Sequence, residues 1–232
     1  MAEKRLHPRS PCARRTEGIT LDHAAPLYDW LAPLMTLGAE QRLHRQVIQR
    51  LVLNRPSTVL DVGCGTGTLT RQIHDALPDT PARRVCGVDA AEAMIHVARK
   101  KAGARPQLEF SAALAEELPY ANDSFDGVLS TFFFHHLNVA LKVRALAEIW
   151  RVLRPGGHAA ILDVDIPYTP FGKLCAWSGY WLFRQPEIAE NIEGKLRAAL
   201  DEAPSRGHWD IASRHSGYLS LFMITKPQEN HT

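Results

Sequence analysis

The sequence predicts an α/β protein built on a seven-stranded, mostly parallel sheet, with an antiparallel last strand and helices on both faces. Three observations carry this. Short apolar runs alternate with amphipathic stretches between residues 57 and 165. The runs are apolar almost throughout, as strands covered on both faces are, rather than at every second residue. One run, Val59-Leu-Asp-Val, breaks into Gly63-Cys-Gly-Thr-Gly67 just before a helical stretch. That is a strand, a tight turn and a helix N-terminus, a junction suited to holding a ligand with main-chain N–H groups.

The elements follow in order. Residues 24–37 and 39–53 read as helices, the second from Leu43, Val47, Ile48, Leu51 and Val52 at helical spacing, with Pro56 beyond its end. Strand 57–62 leads to helix 67–77, stopped by Pro78, and strand 84–89 to helix 91–102, stopped by Gly103. A short strand at 107–111 and a loop precede strand 125–131, which leads to a helix over about 139–153. Pro155-Gly156-Gly157 closes that helix and strand 158–165 follows. Beyond lie a helical stretch over about 170–203 and two strands, 207–214 and 217–225. The Ser-Gly connection between them predicts an antiparallel pair.

Length and composition fit one globular domain. The chain has 232 residues, is 45% hydrophobic and 22% charged, and carries a net charge of +2, which gives no general case for nucleic-acid binding. No uninterrupted apolar run approaches the roughly 20 residues of a membrane span. The start, Met1-Ala-Glu-Lys-Arg-Leu-His-Pro, lacks the apolar centre of a secretory signal. Cys12, Cys64, Cys86 and Cys175 form no C-x-x-C pair, so neither a disulfide framework nor a metal site is expected and a cytoplasmic location is. Residues 1–18, basic and poor in apolar side chains, are expected to be a disordered tail. Residues 19–232 are expected to form a single domain.

The glycine turn has the spacing G-x-G-x-G. A dinucleotide fingerprint would need glycine at Thr68 or Thr70, and a Walker loop would need Gly-Lys-Ser/Thr. Neither is present. A turn of this kind without a ligand is the plain alternative. Asp89 ends the second strand, beside the first in a doubly wound sheet, where a carboxylate can accept both hydroxyls of a ribose. It could equally cap the helix at 91–102. Asp61, just before the turn, suits a ligand carrying an ammonium and a sulfonium better than one carrying phosphates, while turn amides suit a carboxylate.

Residues 59–67, Glu116-Glu-Leu-Pro-Tyr120 with Ser124-Phe-Asp126, and Arg151-Val-Leu-Arg-Pro-Gly-Gly157 together resemble the class I S-adenosylmethionine-dependent methyltransferases, a Rossmann-like family. Asp22-His-Ala-Ala-Pro-Leu-Tyr-Asp29 is similar to the opening of the ubiquinone and menaquinone biosynthesis members. The resemblance spans about residues 20–226. It implies S-adenosyl-L-methionine as cofactor, held by Asp61, Gly63, Cys64, Gly65, Thr66 and Gly67, with Asp89 on the ribose. Ala90, Met94, Ala115 and Glu116 would surround the adenine, with Ser130 and Thr131 at the end of strand four. It also implies a helical lid over 19–54 with Tyr28 approaching the cofactor, and an insert over about 167–203 shaping the acceptor pocket. Leu114 stands where members commonly place an adenine-contacting Asp.

Ser130-Thr-Phe-Phe-Phe-His-His-Leu137 follows strand four and makes His135 and His136 the candidate base or substrate-orienting groups. A helix cap or a core role is the alternative. The same stretch lacks the Asn/Asp-Pro-Pro-Tyr of DNA-base methyltransferases, so no nucleic-acid partner is expected. Pro170–Phe183 is apolar all round, so it is buried, lines an apolar pocket or touches a membrane surface. The expected acceptor is an apolar small molecule such as a quinol or a lipid, with transient membrane-surface contact. A phospholipid N-methyltransferase, or a non-catalytic S-adenosylmethionine-binding protein, shares the layout. The sequence is silent on oligomeric state.

Overall fold

The computed structural model describes residues 10–21 and 38–228. Its centre is a seven-stranded sheet. The strands are β1 (Thr58–Val62), β2 (Arg84–Asp89), β3 (Leu108–Ala112), β4 (Phe125–Thr131), β5 (Leu153–Val164), β6 (Trp209–His215) and β7 (Leu219–Thr225). The helices are α1 (Glu40–Val52), α2 (Thr68–Ala76), α3 (Glu92–Ala102), α4 (Val139–Val152), α5 (Pro170–Phe183), α6 (Pro186–Ile192) and α7 (Lys195–Glu202). Across the sheet the order is β3-β2-β1-β4-β5-β7-β6. The β5–β7 and β7–β6 pairs are antiparallel and the rest parallel, so β7 alone runs against the others.

The continuous apolar character of the strands has a direct cause. Leu60, Val128, Ile161 and Phe222 pack on one face beneath α4 and α7. Their neighbours Val59, Leu129, Leu162 and Leu221 pack on the other, beneath α1 and α2. Residues of the central strands β1, β4 and β5 therefore meet a helix layer on either face. From β1 the chain first adds β2 and β3 on one side and then returns to add β4 on the other. The carboxyl ends of β1 and β4 thus flank the switch point at which open α/β sheets bind ligands.

Three expectations are corrected. The segment expected to be disordered is folded over residues 10–18: Ala13 is fully buried, and Cys12 N–H donates to Glu92 Oε1 at 3.0 Å. Pro155-Gly156-Gly157 is not a break before the strand that follows α4 but a bulge within it. Leu153 pairs with Phe125 and His158 with Gly127, so three extra residues of β5 are accommodated, with Gly156 at φ +80°. The long helical stretch after β5 is three helices, divided by Arg184 (φ +51°) and Gly194 (φ +87°). The predicted helix 24–37, with Tyr28, lies outside the described residues.

Candidate cofactor crevice

The turn after β1 is forced by its glycines. Gly63 and Gly67 have φ of +75° and +74°. A Cβ on Gly63 would lie 2.3 Å from Phe133 Cδ2, and one on Gly67 2.7 Å from the Phe110 ring. No L side chain fits either place. The turn's amides are largely engaged within the protein. Gly63 and Cys64 N–H both donate to Val88 O (2.9 and 3.0 Å), and Gly67 N–H to Cys64 O. Gly65 N–H donates to Asp89 Oδ2 at 3.0 Å. The picture of these four amides closing on a carboxylate is therefore revised. The positive end of α2 is the remaining main-chain contribution at this turn.

A crevice in two compartments lies over the turn, and Gly63, Gly65 and Phe132 line both. Asp89, Ala90, Met94, Ala115 and Glu116 line the larger. Asp61, Cys64, Thr66 and Thr131 line the smaller. These predicted residues, scattered between positions 61 and 131, are brought to one edge of the sheet. The Phe133 ring rests on Gly63 and lines the larger compartment.

Ser130 and Gly67 line neither compartment, and Cys64 and Asp89 are also engaged within the protein. Ser130 is fully buried and its hydroxyl donates to Val62 O at 2.8 Å, tying β4 to β1 rather than facing the crevice. Gly67 packs on Phe110, and the Cys64 side chain joins Ile95, Ala98 and Phe110 in an apolar cluster. Burial pushes the Cys64 thiol well above its usual range. Asp89 does not cap α3 with its side chain. Its Oδ1 accepts from Ala91 N–H (2.8 Å) in the turn before that helix, so one carboxylate braces both turns. The replacement at Leu114 is accommodated by burial: the side chain is 5% exposed.

Sequence reading missed the wall formed by Thr16, Gly18, Ile19, Thr20 and Leu21. Residues up to 18 read as tail and 19–21 as the start of the lid, and the wall is tied down far along the chain, Ile19 N–H donating to His136 O. It also missed Phe132, a bulky residue at φ +52°. Such a conformation costs roughly 1–3 kcal/mol.

Two acidic groups set the local electrostatics. Burial pushes the Asp61 carboxyl up to about 7, against the Thr70 hydroxyl and with the help of Asp89; Thr70 Oγ1 donates to it at 2.6 Å. Asp163, at the end of β5, is fully buried. Burial alone would raise it, but His135 and the Val164 N–H hold it below the usual carboxylate range. His135 Nδ1 lies 2.7 Å from Asp163 Oδ1, and His135 lines neither compartment. His136 does line the larger one. Burial, reinforced by His135, lowers its pKa to about 3, so it is neutral and a poor base at pH 7. Its Nδ1 is buried with no hydrogen-bond partner among the described residues. Also among the described residues, no cluster of His, Cys, Asp or Glu could hold a metal ion, and no helix is long and apolar enough to cross a membrane.

The residues present fit S-adenosylmethionine: an acid at the end of β2 for a ribose, apolar walls for a base, and an acid with a helix N-terminus for the amino-acid end. The architecture and crevice define a methyltransferase-type α/β domain. The family described as "Methyltransferase domain" matches residues 59–157. A putative S-adenosyl-L-methionine-dependent methyltransferase from Methanococcus maripaludis superposes with a TM-score of 0.66 at 16% identity, covering 94% of this chain and 99% of that one. The demethylmenaquinone methyltransferase of Symbiobacterium thermophilum is 35% identical over 69% of this chain and 63% of its own length. That of Deinococcus radiodurans is 35% identical over 75% of this chain and 70% of its own. The chain belongs to the demethylmenaquinone methyltransferase family, and it spans somewhat under two thirds of the Symbiobacterium protein.

Proposed function

We propose that this protein transfers a methyl group from S-adenosylmethionine to an apolar small molecule, with the ring carbon of a quinol as the favoured acceptor. One observation carries the reading. Asp89 and the glycine turn meet at the switch point of the sheet, joined by the Gly65–Asp89 hydrogen bond, with Asp61 on the far side of the same turn. The names of the relatives support the acceptor class.

When bound, the cofactor supplies an electrophilic methyl on a sulfonium. The chain's own residues bind, align and exclude water. Asp89 accepts from the ribose hydroxyls; Ala90, Met94 and Ala115 enclose the adenine, with Glu116 at its edge. Asp61 offsets the positive charge of the amino-acid end, beside Thr66 and Thr131. Phe132 and Phe133 give the crevice an apolar wall. Alignment of this kind can supply roughly 7–11 kcal/mol. His136, neutral, hydrogen-bonds and orients the acceptor; the Asp163–His135 pair holds the loop that carries it. The acceptor reaches the crevice from a membrane surface by transient contact. The unpaired cysteines fit work in the reducing cytoplasm.

Two measurements test this together. Labelled methyl donor and a reduced quinone lacking the ring methyl should give a labelled product. Asp89→Ala should weaken S-adenosylmethionine binding by roughly 1.5–3 kcal/mol, the value of hydrogen bonds to a charged group. Binding without any methyl transfer to apolar acceptors would favour a non-catalytic role, and undiminished affinity in Asp89→Ala would overturn the ribose assignment.

A further inference from the structure

Helix α5 packs Trp177 and Tyr180 against the core but turns four other large apolar side chains outward. Phe171, Leu174, Trp181 and Leu182 are 63, 68, 68 and 76% exposed. With 3.6 residues per turn they fall, together with Ser178, on one stripe about 100° wide. The opposite side is built to be held. Thr169 caps the helix through the Gly172 N–H (2.9 Å), Ala176 is buried, and a Cβ on Gly172 would lie 2.1 Å from the Gly217 carbonyl oxygen. The helix is thus seated by its small residues on the β6–β7 turn. That seating fixes the apolar stripe towards the outside. Single exposed apolar residues are ordinary; four aligned on one helix are not.

The charge around the stripe is one-sided. From Ile166 to Gln185 the chain has no Asp or Glu, and its two charged residues, Lys173 and Arg184, are both exposed. Trp181 packs edge-on with Tyr180, ring centroids 5.4 Å apart, and such amphipathic aromatics favour a bilayer interface.

We infer that the α5 stripe docks on an anionic lipid bilayer surface, with Phe171, Leu174, Trp181 and Leu182 entering the interface and Lys173 and Arg184 meeting the headgroups. The inference rests on the proposed apolar acceptor and adds where that acceptor is collected. The helix begins just beyond the carboxyl end of β5, the sheet edge that also carries the glycine turn and Phe132. Docking through α5 therefore brings the crevice edge to the bilayer. A second copy is the poorer occupant, because pairing two stripes brings four cations together with no acid in either segment to offset them.

The test uses the full chain in co-sedimentation with vesicles of phosphatidylcholine, alone or mixed equally with phosphatidylglycerol, alongside light scattering. Binding to the mixed vesicles should exceed binding to phosphatidylcholine by at least about tenfold, and the Trp181→Ser/Leu182→Ser double variant should lose at least about tenfold. Lys173→Glu should weaken binding to the mixed vesicles alone. Leu53→Ser is the control, since Leu53 is 75% exposed but lies before β1 at the opposite sheet edge; it should bind as the wild type does. All variants should keep their affinity for S-adenosylmethionine. Equal binding by the wild type and the double variant, or no vesicle binding at all, would overturn the inference. A fall in mass confined to the double variant would overturn it in favour of a second copy. Loss of S-adenosylmethionine binding by the wild type, with vesicle binding intact, would instead defeat the methyltransferase reading and leave the docking surface standing.

Discussion

One carboxylate oxygen of Asp163 lies 2.7 Å from His135 Nδ1, and the other accepts from the main-chain N–H groups of Phe133 and Phe134 at 2.9 and 2.7 Å. A single buried acid at the end of β5 thereby fixes the loop after β4, including Phe133, whose ring reaches the crevice wall. Its folded pKa is depressed, so its contribution to stability is present above the ordinary carboxylate pKa of about 4 and is lost as pH falls through the lower folded value. Asp163→Asn should cost roughly 1–3 kcal/mol at pH 7, as leaving buried donors without their charged acceptor does, and less in acid, once the folded carboxyl is itself protonated. Urea unfolding at pH 7 and in acid measures this; a cost independent of pH would show that the charge is not what holds the loop.

Asp61 behaves in the opposite sense. Its folded pKa of about 7 is above its unfolded value, so its share of stability is complete below pH 4 and is lost as pH rises through 7. Asp61→Asn should flatten that decline. A bound ammonium favours the ionised acid, so S-adenosylmethionine should bind more tightly as pH rises from 5.5 to 7.5 in the wild type and not in Asp61→Asn. Calorimetric titration across this range reads both.

The segment before Leu21 forms one wall of the larger compartment. Ser10 Oγ donates to Ala90 O at 3.3 Å and Cys12 N–H to Glu92 Oε1 at 3.0 Å. Removing residues 1–18 should lower S-adenosylmethionine affinity by about tenfold, the equivalent of one or two such hydrogen bonds, while leaving the sheet folded by circular dichroism. Unchanged affinity would return this stretch to the role of a tail.

Two glycines with positive φ separate backbone strain from crowding. A Cβ on Gly103 (φ +59°) would have nothing within 4 Å, whereas one on Gly67 (φ +74°) would meet the Phe110 ring at 2.7 Å. Gly103→Ala should cost roughly 1–3 kcal/mol from the backbone alone, since φ +59° with ψ −147° is open essentially to glycine, and Gly67→Ala roughly 2–4 kcal/mol with overpacking added. Thermal unfolding of the two variants gives the comparison; equal costs would mean that Phe110 yields freely.

The elements that sequence pattern placed well are those whose signal is local. Val59, Leu60, Val62 and Val85–Val88 carry no polar side chain on either face, and Gly63 and Gly67 mark a turn in which a side chain does not fit. Asp61 and Asp89 were legible because strand ends adjoin in a doubly wound sheet. What escaped depends on distant partners. Ser130 was counted at the crevice from its place in the chain, yet its hydroxyl is claimed by Val62 of the neighbouring strand. Residues 10–21 carry no amphipathic period, because their order comes from α3 and the loop after β4. The bulge at Pro155-Gly156-Gly157 depends on the main-chain bonds between Gly156, Gly157 and Lys226 just beyond β7, which no local pattern reveals.

The most direct test of the central claim is a crystal structure of the protein grown with S-adenosylmethionine. The account predicts the ribose on Asp89, the amino-acid end beside Asp61 and the N-terminus of α2, and the Phe133 ring displaced from Gly63. A structure with the donor bound elsewhere, or with Phe133 still on Gly63 and the crevice empty at saturating donor, would contradict it.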